Sequence, residues 1–257
     1  MAFMDRRHTF DEVALQYDAM RPGYPDALVD RVLCRARLKA GDRILEVGAG
    51  TGIATLPYAV RGYRILCLEP GPNLAAIARR KVAAYAGVEV REQDFESWEV
   101  EPGAFGLLFS ATAWHHVDPG VRYTKARLAL KPRGALAIYA NWNVGVYEEG
   151  QAAYRRFVPE WNGKLRETVE VRMERALASL RGSGCFTRIE TARFPWRATF
   201  TEDQYIALLG TFSDHLLIPA DSREALFGAL RDCIRRAGGS VSRDFESVLF
   251  LAEPVPG

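Results

Sequence analysis

The chain has 257 residues, of which 48% are hydrophobic and 26% are charged, and this composition excludes a disordered or collagen-like protein. Its 34 basic and 32 acidic side chains leave a net charge of +2, which is not typical of nucleic-acid-binding proteins. There is no apolar run of bilayer length, no secretory signal and no CxxC pair among four cysteines, so we expect a cytoplasmic protein without disulfides or structural zinc.

Residues 26–141 alternate between helical and strand-like patterns. In chain order, the sequence predicts a helix over 26–38, a strand within 43–50, a helix over 53–61, strand 64–68, helix 74–82, strands 88–92 and 105–110, a helix near 120–131 and strand 135–140. Strands that alternate with helices indicate a parallel sheet, and continuous apolar strands indicate that both of its faces are covered. We therefore expect an α/β doubly wound, Rossmann-like domain.

After Trp142 the pattern changes. The sequence predicts helices within 148–182, an extended segment over 186–198 and a closing apolar strand over 248–252. Two motifs, Thr201-x-x-Gln204 and Asp221-x-x-Glu224, each predict the start of a helix. We expect this half to complete the same sheet and to carry helical substrate-cap insertions within 142–235. A separate second domain is the alternative, although no Pro/Gly/Ser linker marks one.

The end of the first strand carries the loop Gly48-Ala49-Gly50-Thr51-Gly52. Glycines let a backbone turn sharply and approach a ligand, and ligands of open parallel sheets bind beyond the carboxyl ends of the strands. The GxGxG spacing differs from the GxGxxG of dinucleotide-binding folds, and no Lys follows as in a phosphate P-loop. The loop therefore predicts a binding site, with a plain glycine-rich turn as the alternative.

Acidic residues also stand at the ends of the second and third predicted strands, at the same edge of the sheet as the glycine loop. Glu69 lies 23 residues after Glu46, close to the interval of about 20 residues at which an acid accepts hydrogen bonds from ribose hydroxyls. Asp94-Phe95 follows the third strand, where a carboxylate and a ring suit an adenine. The alternatives are a solvated acid at Glu69 and a turn cap at Asp94.

Five successive motifs of the chain resemble those of class I S-adenosylmethionine-dependent methyltransferases. They are EVGAGTG, LCLEPG, QDFE, FGLLFSATAWHHVDP and LKPRGALAIYANW. The leading FDEVALQYDAMRPGYP is similar to the start of small-molecule methyltransferases related to the ubiquinone-biosynthesis and trans-aconitate groups. The resemblance covers essentially the whole chain. It implies one domain with a seven-stranded sheet, a reversed last strand, and S-adenosyl-L-methionine as the cofactor, which leaves as S-adenosyl-L-homocysteine.

The resemblance also implies roles for single residues. Glu46 and the loop 48–52 would cradle the methionine end, Glu69 would hold the ribose, and Asp94 and Phe95 would lie at the adenine. The implied cofactor site is completed by Tyr17, Arg21, Pro70, Asn73 and Ala111. Residues 1–25 would form a lid, from which Tyr17 and Arg21 close over the cofactor. Arg21 would pair with its carboxylate, and a surface salt bridge is the alternative.

The acceptor site is predicted beside Trp114-His115-His116, directly after the fourth strand. Either histidine can take a proton near neutral pH, so both are candidate catalytic bases, and a packing role for one of them is the alternative. No third ligand is evident, so we expect no metal. Residues expected to line the acceptor pocket, with core packing as the alternative, are Tyr24, Trp114, Trp142, Tyr147, Trp161, Phe212 and His215.

The sequence therefore predicts methyl transfer to a small organic acceptor, on oxygen rather than on nitrogen or carbon, in a monomer or homodimer without nucleic-acid or membrane partners. A nucleic-acid or protein methyltransferase is one alternative, although the chain lacks a basic face and an Asn/Asp-Pro-Pro-Tyr motif. An NAD(P)-dependent oxidoreductase is another, disfavoured by the loop spacing and the lack of Tyr-x-x-x-Lys. A cofactor-binding module without activity is the third.

Overall fold

The computed structural model describes residues 5–144, 147–161 and 167–256, and within these ranges seven strands form one sheet. The strands are β1 (Arg43–Val47), β2 (Arg64–Glu69), β3 (Val88–Glu92), β4 (Phe105–Ala111), β5 (Leu130–Val144), β6 (Phe186–Thr201) and β7 (Ser240–Pro254). Their order is β3-β2-β1-β4-β5-β7-β6. β1 to β5 are parallel, and β7 runs antiparallel to both β5 and β6. The predicted doubly wound fold with a reversed last strand is confirmed.

The helices connect these strands and cover the sheet. They are α1 (Asp5–Glu12), α2 (Ala14–Met20), α3 (Asp26–Ala36), α4 (Leu56–Val60), α5 (Pro72–Val82), α6 (Arg122–Ala129), α7 (Gln151–Phe157), α8 (Val169–Gly182), α9 (Glu202–Leu209), α10 (Ser213–Leu216) and α11 (Ala220–Arg236). Short 3₁₀ turns lie at Trp114–His116, Glu148–Gly150 and Pro159–Trp161. No helix in the described ranges is long and apolar enough to cross a membrane.

One of the two predicted helix starts is confirmed. Thr201 Oγ1 accepts from the Gln204 N–H at 3.3 Å, and Gln204 Oε1 accepts from the Thr201 N–H at 2.9 Å, which is the reciprocal capping box of α9. The box expected at Asp221 is wrong. α11 begins one residue earlier, at Ala220. Pro219 directly precedes the helix in an extended conformation, and no side chain caps the helix start.

The sheet is buried on both faces, as its apolar strands predict. Leu45 and Leu108 belong to the core on one face, whereas their strand neighbours Ile44 and Leu107 belong to the core on the other, and all four are fully buried. This alternation follows from the two-residue period of a strand. The sheet is therefore a rigid platform, and the loops at its carboxyl edge are the part that is free to bind a ligand.

Two groups of helices rise above that edge. α1 and α2, which form the described part of the predicted lid, pack on α5 through Phe10, Ala14 and Tyr17. A third core joins α7, α9 and α11. Within the region 142–235, β6 occupies the extended segment that the sequence predicts over 186–198. We refer to the helices α7, α9, α10 and α11 of this region as the cap.

Candidate active site

The loop after β1 adopts a conformation that only glycine takes readily. Gly48 and Gly50 have φ angles of +73° and +58°. A Cβ atom on Gly48 would lie 2.4 Å from the Cβ of Ala113, so space as well as backbone requires glycine there. The N–H groups of Gly48 and Ala49 donate to the Leu68 carbonyl at 2.9 and 3.2 Å, which ties the loop to the end of β2.

Glu69, the last residue of β2, joins this loop to the next one. Its Oε2 accepts from the Gly50 N–H at 2.7 Å and its Oε1 accepts from the Gly71 N–H at 2.9 Å. The residue is only 5% exposed. A carboxylate has about four acceptor positions, so a group of this kind can bond several donors at once.

A cavity of about 820 Å³ begins at these loops and extends below the lid to the cap. We call the part lined by Gly48, Gly50 and Glu69 the loop end, and the part lined by Tyr154, Trp161 and His215 the cap end. The residues predicted to bind the cofactor that line it are Gly48, Gly50, Glu69, Pro70, Asp94, Phe95 and Ala111 from the sheet edge, with Tyr17 and Arg21 from the lid. Asp94 also caps the following turn, because its Oδ1 accepts from the Ser97 N–H at 2.6 Å. Ala49 and Thr51 line a smaller neighbouring cavity.

Three residues expected at the cofactor do not line either cavity. Glu46 is fully buried behind the loop, where it accepts from Thr55 Oγ1 at 2.6 Å. Gly52 faces α5, where an added Cβ would lie 3.5 Å from Ala78. Asn73 donates its amide to Asp11 Oδ2 at 2.9 Å. The expected direct contacts of these residues with the cofactor are corrected: they shape the loop and hold the lid.

Burial also changes the charge state of Glu46. Desolvation raises the pKa of this carboxyl to about 8, although the hydrogen bonds from Thr55 and Cys67 oppose the shift and the charge of Glu69 adds to it. Glu46 is therefore protonated at neutral pH. A neutral group suits its position against the fully buried Cys67.

The lid is held at both of its ends. Asp11 Oδ1 accepts from the Leu74 N–H at 2.9 Å, at the start of α5. After α2, Arg21 donates through Nε to Thr211 Oγ1 at 2.9 Å and through Nη2 to the Thr211 carbonyl at 2.7 Å. The guanidinium lies 4.9 Å from the Tyr17 ring centre and 4.4 Å from that of Phe212. The surface salt bridge considered for Arg21 is wrong, because this side chain joins the lid to the cap.

His115 and His116 both line the cavity and lie in the 3₁₀ turn after β4. Their ring centres are 3.9 Å apart, and the His116 ring lies 5.4 Å from that of Phe10 in the lid. The structure therefore places an imidazole pair at the cavity, below the lid. Imidazole is a group that can take or donate a proton near neutral pH.

Two aromatic residues expected at the acceptor lie elsewhere. Trp114 is 5% exposed and packs in the core between Phe95 and Tyr123, because the turn that presents the histidines directs it inwards. The hydroxyl of Tyr24 lies 2.6 Å from Thr112 Oγ1, and this side chain lines only the smaller cavity. Both expectations are corrected. The other residues of that group line the main cavity: Trp142, Tyr147, Trp161, Phe212 and His215.

His215, on α10, lies in the cap end beside Tyr154. The Tyr154 hydroxyl and His215 Nε2 are 2.9 Å apart, and both side chains are buried. Burial lowers the pKa of His215 to about 3, and the positive charge of Arg21 adds to this effect. His215 is therefore a neutral imidazole throughout the physiological pH range.

The sequence reasoning missed the arginine of the cap end, because it named only aromatic residues and a histidine for the acceptor pocket. Arg243 on β7 is 8% exposed and lines the cavity. A signal was present, because buried Val241, Arg243 and Phe245 alternate with exposed Ser242 and Asp244. An arginine at an inward position of this strand predicts a buried cation in the wall of the cavity.

Comparisons with known proteins agree with this geometry. The family model described as "Methyltransferase domain" matches residues 44–134. An uncharacterized methyltransferase of Mycobacterium tuberculosis is 24% identical over 230 residues, which cover 90% of this chain and 87% of that protein. The solved structure of a putative type II methyltransferase from Anaeromyxobacter dehalogenans has a TM-score of 0.65 and 21% identity, over 92% of this chain and 99% of that one.

A second solved structure contains a cofactor. Phosphoethanolamine N-methyltransferase 2 of Haemonchus contortus, in complex with S-adenosyl-L-methionine, has a TM-score of 0.58 and 18% identity. The likeness covers 98% of this chain and 60% of that one. The residues present here fit this cofactor: a glycine cradle that a Cβ would fill, a buried carboxylate at the cavity wall, and a polar–aromatic pair at the next strand end. The family model, the relatives and the solved structures together support a class I S-adenosylmethionine-dependent methyltransferase with S-adenosyl-L-methionine as its cofactor.

Proposed function

We propose that the enzyme transfers a methyl group to an oxygen atom of a small organic acceptor held in the cap end of the cavity. The observation that carries this proposal is one cavity of about 820 Å³ that extends from the glycine loop to the cap. Small-molecule sites have volumes of about 300–1,000 Å³. A roof formed by a lid and a cap suits a small ligand better than a folded macromolecule.

The residues of the loop end divide the binding of the cofactor between them. Glu69 would accept hydrogen bonds from the ribose, the backbone at Gly48 and Gly50 would allow close approach, and Asp94 with Phe95 would hold the adenine. Tyr17 and Arg21 would cover the cofactor from the lid. S-adenosyl-L-methionine supplies a methyl group already activated on a sulfonium, so the protein's part is to orient the acceptor and exclude water.

Oxygen as the accepting atom is supported by the histidine pair. A hydroxyl must lose its proton on methylation, whereas a carboxylate or phenolate need not. His115 and His116 line the cavity and offer a base for a hydroxyl. The same rings can donate hydrogen bonds to an oxygen that is already ionised.

The proposed setting is a monomer or homodimer that acts on small molecules and not on nucleic acid. All four cysteines are free thiols, and Cys67 is fully buried, which supports a reducing, cytoplasmic location.

The test is transfer of labelled methyl from S-adenosyl-L-methionine to a panel of small acids, phenols, alcohols and amines. Methylated oxygen in the product, identified by mass spectrometry, is the expected result. Mild alkali separates the two kinds of oxygen product, because it hydrolyses methyl esters and leaves methyl ethers intact. Robust methylation of tRNA or protein, with none of any small molecule, would overturn the proposal.

A further inference from the structure

The cap end of the cavity has a wall of aromatic rings around His215. The Trp161 ring centre lies 5.0 Å from that of His215, with the two planes at 88°. The ring centres of Tyr154 and Phe212 each lie 5.9 Å from that of His215. Tyr154 also stacks on Trp161, at a centre distance of 6.0 Å and an angle of 17°. All four side chains line the cavity, so this end suits a planar ligand with apolar faces.

One polar pair interrupts the aromatic wall. The Tyr154 hydroxyl and His215 Nε2 are 2.9 Å apart, and the two residues are 6% and 7% exposed. Burial raises the pKa of Tyr154 and lowers that of His215, so the pair holds one O–H and one N–H at neutral pH. The bond between the two residues uses only one of these protons. Whichever residue donates it, the pair therefore keeps one further proton to donate.

The position that is left without a partner is Nδ1 of His215. It is buried and has no hydrogen-bond partner within the described ranges. If Tyr154 donates to Nε2, Nδ1 carries the ring proton and is the one orphaned donor of the pair. If Nε2 donates instead, both Nδ1 and the Tyr154 O–H are orphaned, which costs more. The first arrangement is therefore favoured, and the neighbouring ring faces are at most weak acceptors for the Nδ1–H.

The charges around the pair indicate which kind of acceptor atom fits this donor. The positive charge of Arg21 adds to the burial that lowers the pKa of His215 to about 3. Its guanidinium also lies 4.4 Å from the Phe212 ring centre, so a cation already occupies one ring of the wall and disfavours an ammonium ligand. Tyr154 and His215 are both neutral, and burial of a carboxylate against neutral groups is costly. An uncharged carbonyl oxygen fits best.

We propose that the cap end binds an aromatic carbonyl group of the acceptor, whose oxygen accepts a hydrogen bond from His215 Nδ1–H. His215 is then a specificity-determining residue, and Tyr154 is a positioning residue that fixes the tautomer of His215. The inference rests on the proposed function, since it names the substrate class of that same cavity. It leaves the proton chemistry of the methylated hydroxyl to the histidine pair after β4.

The test is calorimetric binding of two matched phenols to the full-length protein saturated with S-adenosyl-L-homocysteine. 4-Hydroxyacetophenone has a carbonyl group where 4-ethylphenol has a methylene group, and the two compounds are otherwise alike. The ketone is expected to bind about tenfold or more tightly, because only its oxygen gives the buried N–H a partner. 4-Hydroxybenzoate is the charged comparison, and it should bind less tightly than the ketone.

A double variant shows whether the pair causes this preference. His215→Phe combined with Tyr154→Phe removes both polar groups at once, so neither is left buried without its partner and the loss of stability should be small. This variant should bind the two phenols with equal affinity. The matched control is Tyr63→Phe, which removes the hydroxyl of a tyrosine that lines neither cavity and should keep the preference of the wild type.

Nitrogen-15 NMR of the imidazole rings keeps the test valid if the double variant fails to fold. His215 is one of four histidines in the chain, and at neutral pH its ring should be neutral and protonated on Nδ1. Tyr154→Phe removes the donor to Nε2, so the form protonated on Nε2 should become populated in this variant. A purely structural Tyr154 would leave the tautomer of His215 unchanged.

Four outcomes would overturn the inference. They are equal or no binding of the two phenols by the wild type, an equal preference in the double variant and the wild type, a wild-type His215 protonated on Nε2, and tighter binding of 4-hydroxybenzoate than of the ketone. Binding of S-adenosyl-L-homocysteine and transfer of labelled methyl to other small molecules are measured separately and do not depend on these results. Failure of the carbonyl site is therefore distinguishable from failure of the proposed function.

Discussion

Arg21 and Thr211 are 190 residues apart in sequence, and two hydrogen bonds join them, from Nε to Oγ1 at 2.9 Å and from Nη2 to the carbonyl at 2.7 Å. Thr211 is fully buried, and its own hydroxyl donates to the Leu208 carbonyl at 2.7 Å. The lid is therefore fastened to the cap through a residue that is itself fixed. Release of the lid from the cap therefore requires that this contact opens.

Arg21→Gln should loosen the lid. The variant loses two charge-assisted hydrogen bonds, each worth about 1.5–3 kcal/mol before compensation, so amide exchange in α2 should accelerate about tenfold or more. S-adenosyl-L-homocysteine should slow exchange in α2 of the wild type. Hydrogen-exchange mass spectrometry measures both. Arg31→Gln, which removes an exposed pair with Glu190, is the matched control. Maximal protection in the wild type without ligand would show that the segment is a fixed wall.

Glu69→Ala should weaken binding of S-adenosyl-L-homocysteine at least tenfold. The change removes the proposed bonds to the ribose, worth about 1.5–3 kcal/mol each, and releases the Gly50 and Gly71 N–H groups. Glu69→Gln keeps one acceptor oxygen, so its affinity for S-adenosyl-L-homocysteine should fall less than that of Glu69→Ala. Isothermal titration calorimetry gives the affinities, and Glu99→Ala, at an exposed acid away from the cavity, is the control. An unchanged affinity in folded Glu69→Ala would exclude the assignment.

His115→Ala or His116→Ala should lower turnover by roughly 10²–10⁴ if the acceptor is a hydroxyl, because general-base catalysis contributes about that factor. The wild-type rate should then rise with pH between about 5 and 8, where histidines lose their charge. The His116 variant also loses a ring contact with Phe10, so its affinity for S-adenosyl-L-homocysteine must be measured beside its turnover. If both variants keep most of their turnover and their pH profiles are flat, orientation alone suffices.

Glu46→Gln should change how stability depends on pH. The pKa of Glu46 is raised from 4.5 to about 8 by burial, so the folded chain holds a proton that the unfolded chain releases between these values. The stabilisation is full below pH 4.5 and lost as pH rises through 8. Gln stays neutral, so the variant should gain stability relative to the wild type over this window, by at most ~1.4 kcal/mol per pH unit. Urea unfolding across this pH range measures it, and a difference that does not change with pH would contradict it.

Gly48→Ala should destabilise the protein more than Gly41→Ala does. Both glycines have φ near +80°, at +73° and +84°, so both variants carry backbone strain of roughly 1–2 kcal/mol. Nothing lies within 4 Å of a Cβ at Gly41, whereas the one at Gly48 would overlap Ala113. Gly48→Ala should therefore lose about 1–3 kcal/mol more of the free energy of unfolding than Gly41→Ala, because the added methyl group overpacks against Ala113. This difference measures how tightly the glycine loop packs against the turn after β4. Equal melting temperatures of the two variants would show that this turn moves freely.

The parts of the fold that follow from local pattern were predictable from the sequence. The strand Val88–Glu92 and the capping box at Thr201 are local, because they depend on residues a few positions apart. The second box failed at Asp221 because Pro219 supplies a competing start one residue earlier. Helix 53–61 proved shorter, at Leu56–Val60, because the glycine loop uses the residues before it.

Single side chains of the site were harder to predict, because their roles depend on partners far away in sequence. Asn73 lies two residues after the LCLEPG motif, yet its side chain donates a hydrogen bond to Asp11, which lies 62 residues earlier. Trp114 and His115 are neighbours, but a 3₁₀ turn sends one into the core and the other to the cavity. Motif resemblance identifies such positions as important and does not show which way each side chain faces.

The antiparallel direction of β7 has a consequence for the charge of the cap end. The run Val248–Ala252 is buried and holds the strand in place, while the inward position nearer its start is occupied by Arg243. One residue inserted between Phe245 and Val248 would shift the preceding residues by one place and turn each to the opposite face. Asp244 would then occupy the inward position, so a single insertion would replace the buried cation by a carboxylate and reverse the sign of this charge.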